Sequence, residues 1–314
     1  MSTLALNALR VSANRFISQM RSLDVSAPDA YMSVGAILRE VTASIALAEV
    51  ELSKAEILAE LTEVRAFVAQ SPFGLRMQTW PRGYPGDFET VEWIVQQANQ
   101  ASPGSLGYLI EKQCLACTVC QQHRNKINYQ ANLIATTVER GAKNILLIAA
   151  GSALDLQSVW YSRQVRASRF VLNDIDPSAL ESAKQALAGT NEHVLFITGN
   201  ALALASQIAS TGPFDLILTG GLFDYLDDRA AKLMLRIAFT KWLRPGGVFY
   251  FSNIAKGNPY RHWMEYLENW KLIERDETAI NSLLSGITAM TDYFTIEKDP
   301  TGLTLLVKVN RKVG

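Results

Sequence analysis

Several polar side chains stand at the ends of apolar runs in the second half of this chain, where strands of an α/β sheet would present them to a ligand. The run RFVLND ends on Asp174, and an acid at the carboxyl end of such a strand can accept both hydroxyls of a ribose. Asp174 is the candidate for that task, with Ile175 beside it. Asp176 precedes Pro177 and a helical run, so it reads as a helix N-cap with proline at the first helical position. The run ILLIAA leads into Ala149 and Gly151, and a glycine there lets backbone approach a ligand closely. A full G-x-G-x-x-G is absent, so the turn that cradles a dinucleotide pyrophosphate is not expected. Asn200 and Ala201 follow the third strand, where a polar side chain would meet an adenine edge. Gly220, Gly221, Leu222 and Tyr225 follow the fourth, beside the cleft where the first and fourth strands diverge.

A second constellation lies earlier, in Trp80-Pro81-Arg82-Gly83-Tyr84-Pro85-Gly86-Asp87. Two prolines and two glycines fix its shape. Trp80, Arg82, Tyr84 and Asp87 are its candidate catalytic groups. Aromatic faces favour a cation by ~0.5–2 kcal/mol each. Arg82 can pair bidentately with a carboxylate, and Asp87 can hold an ammonium or position a hydroxyl. The expectation is a lid over the reacting centre, weighed against a linker with buried aromatic anchors. Arg124 and Asn125 are candidates for the same cavity. His262 follows the fifth strand, where it reads as an exposed helix-start residue rather than a general base. Cys114, Cys117, Cys120 and His123 have metal-like spacing, but on one helix each step of three turns about 300° and the groups diverge. They are expected to be packed, reduced thiols of a cytoplasmic protein without a metal site.

The elements that would position these groups fall into two textures. Residues 3–70 are helical, residues 72–87 read as an ordered loop, and further helices are expected over 88–100 and 106–140, the second long and open to interruption. From 144 short strands alternate with helices: strands at 145–150, 169–174, 194–199, 214–220 and 247–253, with helices at 153–163, 178–188, 201–210 and 228–243. A helix over 260–270 and a hairpin of strands 294–298 and 303–309, turning at Asp299-Pro300-Thr301-Gly302, complete the chain. This alternation implies βαβ units and a mostly parallel sheet. The division expected is a helical N-terminal cap over 1–135, including loop 72–87, and an α/β domain over 136–314. The chain has 314 residues, 48% of them apolar and 19% charged, with 30 basic and 30 acidic residues. That balance points to a small-molecule partner rather than nucleic acid or membrane. No apolar run of spanning length and no secretory signal are read.

The stretches LLIAAGSALDL, VLNDIDPSAL, ITGNAL, FDLILTGGLFDYL and LRPGGVFYFSN resemble the successive motifs of the class I S-adenosylmethionine (SAM)-dependent methyltransferases. RGYPGDFET, HRNK, GLFDYLDD and NW-x-L-I-x-R further resemble a bacterial subgroup that includes enzymes of 3-hydroxypalmitic acid methyl ester synthesis. The resemblance implies a Rossmann-like SAM-binding fold with a seven-stranded sheet. It also implies SAM as cofactor and methyl transfer to a small acid or natural-product intermediate of secondary metabolism. In this chain Asn200 stands where the class often has an acid, and the first motif has lost glycines. Two rivals share the nucleoside pocket. One transfers SAM's aminocarboxypropyl group, as in nicotianamine-synthase-like enzymes, or cyclises SAM to azetidine-2-carboxylate. The other is a SAM-binding protein without turnover.

Overall fold

The computed structural model describes residues 2–187 and 192–313; the last residue of the helix expected over 178–188 lies outside them. The chain divides into two compact units, one of residues 1–121 and 259–271, the other of 122–258 and 272–314. The boundary between 121 and 122 lies within the helix Thr118–Glu139, and the segment 259–271 groups with the helical unit.

The second unit is built on β1 (Asn144–Ile148), β2 (Arg169–Asp174), β3 (Val194–Thr198), β4 (Phe214–Thr219), β5 (Leu243–Ile254), β6 (Thr291–Lys298) and β7 (Thr304–Arg311). Their order is β3-β2-β1-β4-β5-β7-β6. β1 to β5 are parallel, and β7 runs antiparallel between β5 and β6. The seven-stranded, mostly parallel sheet expected from the alternation is therefore present. Successive side chains point to opposite faces, and both faces are covered, which is why the strands read as continuous apolar runs. Leu146, Ile148, Val171, Ile217, Phe249 and Phe251 pack with Phe239 and Trp242. Ile145, Leu147, Phe170, Leu172, Leu216 and Leu218 pack on the other side with Ala131, Ile134, Val138 and Leu156.

The first unit is helical among its described residues. The helix Ala30–Ala48 buries Val34, Leu38, Val41 and Ile45, one stripe at spacings of four, three and four. Contrary to the sequence expectation, this helix is long and apolar enough, by length and composition alone, to cross a membrane. Small residues such as Ala, Ser, Thr and Gly scatter its apolar ones, so no unbroken run announces it.

One further expectation is corrected, and another is made specific. The punctuated stretch from Pro72 begins with a helix, Pro72–Thr79: Ser71 caps it through the Gly74 N–H, and Pro72 takes the first position, whose N–H needs no partner. The loop proper starts at Trp80. The helix expected over 106–140 breaks at Cys117, whose backbone is extended, giving Leu106–Ala116 and Thr118–Glu139. The cysteines therefore do not lie along one straight helix, and they do not diverge as expected: the Cys117 and Cys120 thiols are in hydrogen-bond contact. Even so, no group of three or more ligating side chains able to hold a metal occurs among the described residues.

Candidate active site

The carboxyl ends of β1, β2 and β3 bring the sequence candidates for the nucleoside together. After β1, Ala149, Gly151 and Ala153 have φ of 51°, 56° and 58°. These alternate residues keep the left-handed backbone of a glycine-rich turn, although two of them are alanine. A Cβ in that conformation costs roughly 1–2 kcal/mol, so the surrounding structure over-determines the turn. The Ala150 N–H donates to the Asn173 carbonyl at 3.0 Å, tying the turn to β2. The Gly151 N–H donates to Asp174 Oδ2 at 2.8 Å, and the Asp176 N–H donates to Asp174 Oδ1 at 2.9 Å. One carboxylate thus holds two loops in place, and each oxygen keeps a lone pair for a further donor. Burial pushes the Asp174 carboxyl pKa up, and these amide bonds pull it back down.

Asp176 is the N-cap expected of it, accepting the Ser178 N–H at 2.9 Å before Pro177 and the helix Pro177–Ala186. Ile175 is exposed at the rim, and Ala201 is buried. Asn200 Oδ1 accepts the N–H groups of Leu202 and Ala203, so this side chain shapes its own turn.

The end of β4 is organised by the helix Thr118–Glu139. Gln122, Lys126 and Gln130 are buried and stand four residues apart, on one face of that helix. Gln122 accepts from the Thr304 hydroxyl. Gln130 Nε2 donates to Asp155 Oδ2 at 2.9 Å, while its Oε1 has no partner. A Cβ at Gly220 would lie 1.8 Å from that oxygen, so any side chain there would have to displace the Gln130 amide. Ser152 Oγ and Thr219 Oγ1 are likewise buried without partners. A Cβ at Gly221 would come within 3.8 Å of Lys126 Nζ. Asn125, beside the stripe, donates to Asp299 at 2.9 Å; Arg124 is also buried.

The turn after β4 is clamped by Arg275, 2% exposed, which donates to the carbonyls of Phe223 and Leu226 and to Asn253 and Asp228. Asp224 accepts the Ile254 N–H at 2.6 Å. Leu222 packs on the core, and Tyr225 is exposed. The sequence reading missed Lys126, Gln130, Asp155 and Arg275 as site-forming residues. The signal for the first two was polar residues recurring every four positions in line with the apolar Ile134 and Val138.

The other candidates belong to the first unit. Trp80 has φ of 46° as the C-cap of Pro72–Thr79, and its indole Nε1 is buried without a partner. Asp87 is the N-cap of Phe88–Gln96, accepting the Thr90 N–H at 2.9 Å and pairing with Arg76 at 2.7 Å while 2% exposed. Arg82 lies 4.8 Å over the Phe88 ring and pairs with Glu89. Tyr84 is half-buried in the turn between Gly83 and Gly86, whose φ values are positive. His262 lies 3.0 Å from Glu49, which also takes Arg261 and the Tyr266 hydroxyl, so it sits in an ion-pair cluster.

A β3-β2-β1-β4-β5 parallel sheet with an acid at the end of β2 and a tight turn after β1 defines a Rossmann-like nucleoside-binding fold. Residues 146–249, about a third of the chain, match the family model described as a methyltransferase domain. No curated protein sequence matches the chain. A solved structure of a possible exported protein from Bordetella parapertussis superposes over 99% of this chain and 97% of its own, with a TM-score of 0.59 at 16% identity. That likeness is one of fold. The N-methyltransferase NodS of Bradyrhizobium japonicum, in complex with S-adenosylhomocysteine, is 16% identical over 59% of this chain and 86% of its own, with a TM-score of 0.42. Magnesium protoporphyrin IX methyltransferase of Synechocystis, also with S-adenosylhomocysteine bound, is 12% identical over 63% and 88%, with a TM-score of 0.46.

Proposed function

We propose that this chain binds SAM at the carboxyl ends of β1, β2 and β4 and transfers its methyl group to a small acid or natural-product intermediate. The observation that carries the reading is the Asp174 carboxylate, joined to the Gly151 N–H across the turn after β1, within the segment that matches a methyltransferase domain. SAM fits the residues present. Asp174 has lone pairs left for two ribose hydroxyls, and the turn places backbone, not side chains, against the ligand. The buried oxygens of Ser152, Thr219 and Gln130 have no protein partner to compete with.

SAM supplies an electrophilic methyl carbon when bound. The chain's own part is to hold, orient and exclude water. Asp174 fixes the ribose, the 149–153 turn fixes the approach, and the Arg275-clamped 220–228 turn forms the wall on the β4 side. Alignment of acceptor and leaving group then does much of the work, and a general base is not required by such a transfer. The resemblance to the 3-hydroxypalmitic acid methyl ester subgroup supports an acidic acceptor.

Purified protein incubated with SAM and a panel of carboxylic acids tests the reading. S-adenosylhomocysteine as the adenosine product is expected. Methylthioadenosine would replace methyl transfer by aminocarboxypropyl chemistry, and no product together with tight SAM binding would leave a non-catalytic SAM-binding protein.

A further inference from the structure

Lys126 is an anomaly on the buried stripe of the helix Thr118–Glu139. It is 7% exposed, yet among the described residues it makes no hydrogen bond and no close ion pair. A lysine sealed in a protein interior normally finds a carboxylate or loses its charge. Two acids, Asp224 and Asp299, attract it from a distance. Both are committed elsewhere. Asp224 holds the Ile254 N–H, and Asp299 holds Asn125, the Thr301 hydroxyl and the Thr304 N–H. Arg124 and His123 flank Lys126 on the same helix, and burial keeps His123 neutral. The ammonium instead stands beside Gly221, 3.8 Å from where a Cβ there would lie. Burial pushes its pKa down while the two acids push it up, so an arriving anion would restore what burial removes.

We propose that Lys126 receives a carboxylate of the bound ligands at the Gly220–Gly221 turn, carried either by SAM's amino-acid end or by the acceptor acid. The place fits both sources. Lys126 lies at the end of β4, across β1 from Asp174 at the end of β2, so a nucleoside anchored on Asp174 extends toward it. A compact ammonium with three donors suits a carboxylate as a point charge. The unpartnered Gln130 Oε1 and Thr219 Oγ1 nearby are acceptors, able to take an ammonium or hydroxyl borne by the same ligand. The assignment rests on the SAM reading above.

The test compares the full-length wild type with Lys126→Met, an apolar side chain of similar length whose burial does not require a partner; Lys126→Gln serves should that variant fail to fold. S-adenosylhomocysteine and 5′-methylthioadenosine, which lacks the aminocarboxypropyl chain, are titrated calorimetrically. If SAM's carboxylate is received, the variant loses about tenfold or more in S-adenosylhomocysteine affinity and keeps its methylthioadenosine affinity. If the acceptor's carboxylate is received, both nucleoside affinities stay. Acetate, against chloride at equal ionic strength, then raises the Tm of the S-adenosylhomocysteine complex of the wild type but not of the variant. Identical behaviour of wild type and variant in both arms overturns the proposal, as does equal loss of both nucleosides. A wild type that binds neither nucleoside defeats the SAM reading alone. Acetate titration of the free protein then still reads Lys126, with the same two outcomes.

Discussion

Ala149 and Ala153 hold φ of 51° and 58°, values at which an L side chain is strained and glycine is not. Replacing either by glycine removes roughly 1–2 kcal/mol of native strain and adds about 0.5–1 kcal/mol of unfolded-state entropy. Ala149→Gly and Ala153→Gly are therefore expected to stabilise the protein, each by up to about 1 kcal/mol. Urea denaturation measures this, and a lowered midpoint in both would show that the turn is held differently. Asp174 and Asp176 divide their tasks just as sharply. Asp174→Ala is expected to lower S-adenosylhomocysteine affinity by more than about tenfold. It also leaves the Gly151 and Asp176 N–H groups without their acceptor. Asp176→Ala loses a cap and about 0.5–2 kcal/mol of stability, with affinity unchanged. Equal calorimetric losses in the two variants would remove Asp174 from the nucleoside site.

Between the residue and the fold, the ends of helices decide what several candidates do. Asp87 starts the helix Phe88–Gln96 and holds the Arg76 guanidinium, which Glu89 also holds. Asp87→Ala removes cap and ion pair together and is expected to cost about 2–4 kcal/mol. Asp87→Asn keeps the capping oxygen and is expected to cost less. Thermal unfolding ranks the two, and kcat measured on the same proteins shows whether the carboxylate has a chemical task besides. At the end of the segment 259–271, Glu268 is buried beside Cys114 and Trp263, and burial raises its pKa to about 7 from 4.5. The folded state therefore holds this proton more tightly than the unfolded chain does. The stability it contributes is fully present below about 4.5 and is lost as pH rises through about 7, amounting to about 3 kcal/mol. Glu268→Gln is expected to flatten that part of the pH dependence when denaturation midpoints at pH 5 and pH 8 are compared. An unchanged wild-type slope would mean that Glu268 is not the titrating group.

For the whole molecule, the division into a helical unit and an α/β unit makes ligand linkage the informative measurement. Every residue assigned to SAM lies in the unit of 122–258 and 272–314. A ligand that binds only the folded form at 100 times its Kd adds about 2.7 kcal/mol to stability. S-adenosylhomocysteine at that ratio is expected to raise the unfolding temperature of the α/β unit, as followed by hydrogen exchange of β1 and β4 amides. Protection that does not change in those strands would place the nucleoside elsewhere.

The α/β unit was legible in the amino-acid order because its signals are local. Strands covered on both faces must be continuously apolar, and helices between them must punctuate, so the seven strands fell within a few residues of their places. Asp174 and Asp176 were separable for the same reason, since a strand end and a Pro-preceded cap are each written in a few neighbours. What only the tertiary structure decided were pairings between distant segments. Arg275 clamps the 223–228 turn from about fifty residues away, and the Gln130 amide fills the space that a side chain at Gly220 would need. The four-residue recurrence of Gln122, Lys126 and Gln130 marks a helix face, but that this face is buried against the end of β4 is fixed only when the sheet is folded beneath the helix. Asp87, read in the sequence as able to hold an ammonium or position a hydroxyl, pairs with Arg76 and caps a helix through the Thr90 N–H. The physical reason is the same in each case: burial, and the partners that burial demands, belong to the assembled fold and not to any window of the chain.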